Sequence, residues 1–289
     1  MFIPYYHICV HNEPYNVPKG ERRIARDYDV LYQLINIADQ RDIKLTLMFT
    51  AQWADFIASD KFRLARLKTW MSKGHEIAAH HHNVYHINWD GYTNYPPESV
   101  APIRQNIQPR KERFLGNFGS YIKSLMKINP FIKSGCMNVE MDKSELPDKI
   151  IYDTSLGIAN FGNELMILSD FENPKKGINE HMSVATYRNI ERKWLTHYQI
   201  NNNRDGGQAM RTIMRMNEGA YGVVVHSFKR QLSSYVAYIE FLHGIDPSAS
   251  HSKTVSEIVE EKLIPERVVD LAGIQAMSES RKTGGQFIC

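Results

Sequence analysis

Three strand-like segments near the start of the chain alternate with two segments of helical period, and this rhythm restricts the fold more than any other feature. Residues 5–10 (Tyr-Tyr-His-Ile-Cys-Val) are mostly apolar, as a strand buried on both faces must be. Over residues 22–38 the apolar positions Ile24, Tyr28, Leu31, Leu34, Ile35 and Ala38 recur in steps of three and four, which predicts a helix with one buried face. Residues 43–50 read as a second strand, 62–71 as a second helix stopped near Gly74, and 76–80 as a third strand. Strand, helix, strand, helix, strand at this spacing implies parallel pairing through crossover helices.

The rhythm breaks at 89–97, where Trp89, Tyr92 and Tyr95 stand among Gly, Asn and Pro, and a long loop is expected. Helical period returns around Phe114, Phe118, Tyr121, Ile122 and Leu125, and 131–139 predicts a fourth strand. Residues 151–200 hold short apolar runs without a clear order. Residues 207–216 look helical, 222–226 (Gly-Val-Val-Val-His) form a buried strand, and a helix carries Leu232, Tyr235, Val236, Ile239 and Leu242. The last helices are expected at 254–262 and 265–277, with a polar, Gly-rich, frayed tail from about 278. No repeat or linker divides the chain, so residues 1–289 are expected to form one domain. Repeated βα units over this length favour a closed or nearly closed (β/α) barrel over a doubly wound sheet. There is no GxGxxG after the first strand and no GxxxxGK[ST], so nothing points to a dinucleotide or P-loop site.

Composition excludes several classes. The 35 Lys and Arg against 32 Asp and Glu give a net charge of +3, which argues against a dedicated nucleic-acid binder. Cys9, Cys136 and Cys289 lie far apart and build no disulfide framework. No apolar run approaches the roughly 20 residues needed to span a bilayer, so no membrane partner is expected. The start, Met1-Phe2-Ile3-Pro4, has no basic n-region, and a cytoplasmic protein is expected. Oligomeric state is not legible.

Chemistry concentrates where strands end. Five of the twelve histidines, His75, His80, His81, His82 and His86, fall within residues 74–86. Neutral imidazole is the commonest metal ligand near pH 7. His82 and His86 share a side on a helical turn, and His80 and His82 share a face if the strand continues; the sequence does not choose between His80 and His82 as first ligand. His75 precedes the strand and is expected to be structural. At the end of the first strand, His11 and Glu13 alternate to one face, and Glu13 supplies the carboxylate that two imidazoles lack. Two His and one acid form a common catalytic metal set with one position open for water. His226 ends a buried strand, where a catalytic group would stand. His181, His197, His243 and His251 have no comparable context.

These motifs resemble the polysaccharide deacetylase family, also called the NodB-homology or carbohydrate esterase family 4 fold, over roughly residues 5–264. The residues that carry the resemblance are Lys44-Leu45-Thr46-Leu47-Met48-Phe49-Thr50 with Trp53, Gly74-His75-Glu76-Ile77 leading into the histidines, the His82-x-x-x-His86 pair and His226. The resemblance implies a distorted, seven-stranded (β/α) barrel and one divalent metal held by Glu13, His82 and His86, with His80 in reserve. That metal would be Zn²⁺, with Co²⁺, Ni²⁺ or Fe²⁺ also suited to the donors. It implies His226 as the acid that protonates the leaving amine and places His11 where the base lies, with His11 as a fourth metal ligand the alternative. It also implies hydrolysis of a carbon–nitrogen bond other than a peptide bond, here release of an N-acetyl group from a carbohydrate. The first motif lacks the family's adjacent aspartates, no arginine occurs over 131–141, and Ser227 follows His226 where the family usually has Asp. Those departures keep open a cyclic imide or ureide amidohydrolase and a non-catalytic carbohydrate-binding relative. Trp89, Tyr92 and Tyr95 either line the cleft or form a hydrophobic cover at the barrel rim.

Overall fold

The structure is a computed structural model, and it describes residues 2–105, 107, 112–137, 147–155, 158–161, 164–167, 177–187 and 189–269. The chain opens with β1 (Tyr5–Asn12), α1 (Gly20–Asp39), β2 (Thr46–Phe49), α2 (Ala51–Ala58), α3 (Lys61–Ser72) and β3 (Glu76–His80). Next come α4 (Pro97–Gln105), α5 (Phe118–Met126), β4 (Ser134–Cys136) and β5 (Tyr152–Asp153). The middle holds a hairpin of β6 (Ile158–Phe161) and β7 (Glu164–Ile167), then β8 (Ile178–Asn179), β9 (Met182–Tyr187), β10 (Ile190–Trp194) and β11 (Tyr198–Gln199). The chain continues through α6 (Asn203–Ile213), β12 (Ala220–His226), α7 (Leu232–Ile245), α8 (Val255–Glu260) and β13 (Glu266–Val268).

The main sheet runs β11-β12-β1-β2-β3-β4-β5-β10-β9-β13, with β8 antiparallel on β12. From β12 through β5 every pairing is parallel, as the early alternation requires, and β9–β10 is antiparallel. The result is a curled, open, mixed sheet flanked by helices rather than a closed barrel. Its eleven described strands correct the expected seven. The excess arises in residues 151–200, whose short apolar runs fold as two- to six-residue strands too short to show a period. The helix expected at 265–277 is also corrected: residues 266–268 add β13 to the edge of β9, fixed by Met182 N–H to Pro265 O and Val269 N–H to Val184 O, both 2.8 Å. Residues from 270 onward, including the expected tail, lie outside the described residues, as does 138–139 of the expected fourth strand.

Each central strand is buried on both faces. Tyr6, Ile8, Val10, Leu47, Phe49, Ile77, Val223 and Val225 face the helices, where they meet Leu31, Leu34 and Ile35 of α1 and Tyr235, Ile239 and Leu242 of α7. Burying each such aliphatic side chain stabilises the fold by about 1.5–3 kcal/mol. Cys9, Met48, Ala78, Cys136, Val184, Leu195 and Val224 form a second, concave-side cluster, closed by Val255, Ile258 and Val259 of α8. That short helix starts with a complete capping box, Thr254 with Glu257. Two-residue alternation along β1 therefore sends Cys9 to the concave side with His7 and His11. Gly222 is pressed against this column: a Cβ there would stand 1.9 Å from His7 Nε2 and 2.4 Å from Thr196 O. Among the described residues, no helix is long and apolar enough to cross a membrane.

Candidate metal centre

Register brings the strand ends together. His11 pairs with His226 across β1 and β12, and His80 pairs with Cys136 across β3 and β4. Beyond β1 the chain turns Glu13 inward, and Trp53 Nε1 pins it by donating to the Glu13 carbonyl at 3.0 Å. After β3 the alternation continues for two residues. His81 points away, with Nδ1 2.7 Å from Asp90 Oδ2 and its ring against Phe118, while His80 and His82 face the same space. Tyr121 O–H donates to the His80 carbonyl at 2.7 Å, and Asp90 N–H to the His82 carbonyl at 3.2 Å.

His11, Glu13, His80, His82 and His226 line a cavity of about 490 Å³. At its centre Glu13 Oε1 lies 3.3 Å from His80 Nε2, 3.5 Å from His82 Nε2 and 3.4 Å from His226 Nε2. Burial opposes the charge of Glu13, but the His82 charge and the hydrogen bonds of His226, His80 and His82 hold its carboxyl well below the usual range. Burial pushes His82 down, but the charge and hydrogen bond of Glu13 win and raise it. Burial dominates at His80, which falls to about 4, and at His86, which falls to about 3. His11 is held well below 6.5 by burial and by the neighbouring His80, His197 and His226.

The Nδ1 partners separate two kinds of imidazole. His80 Nδ1 faces the Cys136 carbonyl at 3.2 Å, and His82 Nδ1 faces the Asn88 carbonyl at 3.1 Å. A carbonyl can only accept, so Nδ1 carries the proton in both rings when they are neutral, and Nε2 offers a lone pair once the proton it shares with Glu13 has left. His86 is the reverse: its Nδ1 accepts the Asn88 N–H at 3.0 Å, which places the proton of the neutral ring on Nε2. His226 follows His86. Its own N–H donates to Gln231 Oε1 at 2.7 Å, which fixes the amide, so Gln231 Nε2 faces His226 Nδ1 at 3.4 Å and also donates to Asn201 Oδ1 at 3.1 Å. Phe228 stacks on the His226 ring at 5.4 Å.

Among the described residues, three groups have ligand atoms within 4.8 Å of one another: Glu13, His80 and His82; His11, Glu13 and His226; and His11, Cys136 and His197. A buried carboxylate with two outward Nε2 lone pairs, each ring oriented by a carbonyl, fits a divalent cation in donor type and in its supporting hydrogen bonds. All five residues expected at the site, His11, Glu13, His82, His86 and His226, reach the one cavity. His86 stands 4.0 Å from the His82 ring, outside the Glu13 group, and His80 stands inside it. Asn12 turns away to donate to the Met48 carbonyl at 2.9 Å. His75 is structural, bridging Leu45 N–H and Asp39. Trp89 packs with Val84 and Val100, its Nε1 donates to the Tyr92 carbonyl at 3.0 Å, and it also lines a smaller cavity with Glu13, Asn88 and Phe228. Sequence reasoning missed His197, Cys136 and Gln231, which reach the cavity only through tertiary pairing.

No family model and no curated relative matches the chain. Two solved structures do. One is the Xyl-CE4 domain of a multidomain xylanase from the hindgut metagenome of Trinervitermes trinervoides, at 12% identity over 94% of this chain and 99% of that one, with a TM-score of 0.44. The other is a protein described as a polysaccharide deacetylase from Mycobacterium smegmatis, at 11% identity over 92% of this chain and 94% of that one, with a TM-score of 0.49. At these values neither brings a residue role or an activity to this chain.

Proposed function

We propose that the chain is a metal-dependent hydrolase that releases an N-acyl group, N-acetyl, from a carbohydrate, with one divalent cation held by Glu13, His80 and His82. The observation that carries this reading is the shared orientation of His80 and His82, each with Nδ1 on a carbonyl and Nε2 at Glu13 Oε1. When bound, a cation such as Zn²⁺ supplies a Lewis acid and lowers the pKa of a water toward about 7. Glu13 and the two lone-pair imidazoles hold and orient it. His226 and His86 have the opposite tautomer, so their Nε2–H groups donate into the cavity. His226 Nε2, 3.4 Å from Glu13 Oε1, would hydrogen-bond the departing nitrogen, which takes up the proton that the attacking water gives up as the carbon–nitrogen bond breaks. His11, deep and neutral, is given no proton step.

The walls suit a polyhydroxylated ligand. Asn88, Gln199 and Asn201 carry side-chain amides at the wall, and a second cavity of about 170 Å³ shares Glu13, Asn88 and Phe228 with the first. This continuity favours an extended ligand over a small cyclic imide. The test is acetate release from N-acetylated oligosaccharides by Zn²⁺-loaded protein, beside ring opening of a cyclic imide and a cyclic ureide. Turnover of the rings alone would transfer the reading to an imide hydrolase. Sugar binding without turnover of any substrate would make the chain a lectin-like relative.

A further inference from the structure

We propose a second metal site on the floor of the same cavity, formed by His11, Cys136 and His197, that takes a thiophilic divalent cation such as Zn²⁺. It shares no residue with Glu13, His80 and His82, so it stands or fails independently of the first site.

The three donors come from separate parts of the sheet. His11 is near the end of β1, Cys136 ends β4, and His197 lies between β10 and β11. Their ligand atoms nonetheless lie within 4.8 Å of one another, and the His11 and His197 rings meet edge-on at 5.3 Å. His11 is only 6% exposed, and its Nε2 has no hydrogen-bond partner among the described residues; the same holds for His197 Nδ1. A buried polar atom without a partner costs about 1–3 kcal/mol, so two beside one thiol at a cavity wall call for a ligand. Two imidazoles and one sulfur form a borderline-soft set that suits Zn²⁺ or Co²⁺ and disfavours Mg²⁺ or Ca²⁺. On binding, the Cys136 thiol releases its proton to solvent as the sulfur–metal bond forms, so the site adds one net positive charge.

Co²⁺ is the probe. In a Cys289→Ser background, the protein should bind two equivalents and show the near-ultraviolet sulfur-to-cobalt charge-transfer band. Cys136→Ala should lose the band and one equivalent while keeping the other. A His80→Ala/His82→Ala variant should keep the band and lose the other equivalent. Cys9→Ser, which removes the other buried thiol, should leave the band intact. If Cys136→Ala does not fold, His197→Ala must remove the band instead. One equivalent with no band in the parent overturns the proposal, as does a band that persists in Cys136→Ala or His197→Ala.

Discussion

Cys136 accepts the Nδ1 proton of His80 on its carbonyl at 3.2 Å, while its sulfur faces His11 and His197. One residue at the end of a three-residue strand thus orients a ligand of one donor set and belongs to another. His80→Ala or His82→Ala should each weaken metal binding by more than the roughly 10–100-fold expected for loss of an outer partner. His86→Ala, whose Nδ1 is occupied by Asn88 N–H, should leave metal content unchanged. Metal analysis after dialysis against a weak chelator checks both.

Removing His226 should separate binding from turnover. His226→Ala should keep the metal and lower kcat/KM for an N-acetyl substrate about 10²–10³-fold, the usual cost of deleting one donor to a developing charge. An activated aryl ester, with a better leaving group, should lose less. Equal losses on both substrates would move His226 away from the departing nitrogen.

Gln231 positions His226 without reaching the reacting atoms in this reading. Gln231→Leu should lower kcat about tenfold, equivalent to about 1.4 kcal/mol, with KM and metal content unchanged. A rise in KM alone would instead make Gln231 a ligand contact.

Acid should destabilise the metal-free fold. Burial holds His7 at about 4, below the roughly 6.5 of an unfolded chain. Between those values the unfolded chain binds the extra proton, so the stability is complete above about pH 6.5 and is lost as pH falls toward 4. His7→Gln should flatten the fall by one proton. Urea midpoints from pH 7.5 to 4 in the presence of chelator give the slope.

Gly222→Ala tests the packing of the same ring. The added carbon would collide with His7 Nε2 and Thr196 O, and a loss of about 3 kcal/mol is expected, at the upper end of overpacking costs. The urea midpoint should fall with an unchanged m value.

What the sequence made legible follows from burial. Of the strands legible in the sequence, β1, β3 and β12 are almost wholly buried and carry His11, His80 and His226 at or next to their ends. β3 begins where the pattern places it, whereas α2 was hidden because its eight residues look like a turn after β2. Between 151 and 200 the strands are short and their partners distant, so no local period marks them. His197 is invisible for that reason. The opposite orientation of His80 and His86 was equally hidden, because it depends on which atom each Nδ1 meets, and those atoms belong to Cys136 and Asn88.

β1 lies between two parallel neighbours, β12 along seven of its residues and β2 along its last four. It cannot slide, and alternation decides which side chains it delivers to the cavity. One inserted residue before Val10 would turn His11 and Glu13 toward the helices and send Val10 and Asn12 inward, erasing both donor sets at once. Descendants of this chain can therefore retune the centre by exchanging side chains along β1. They cannot do so by changing its length.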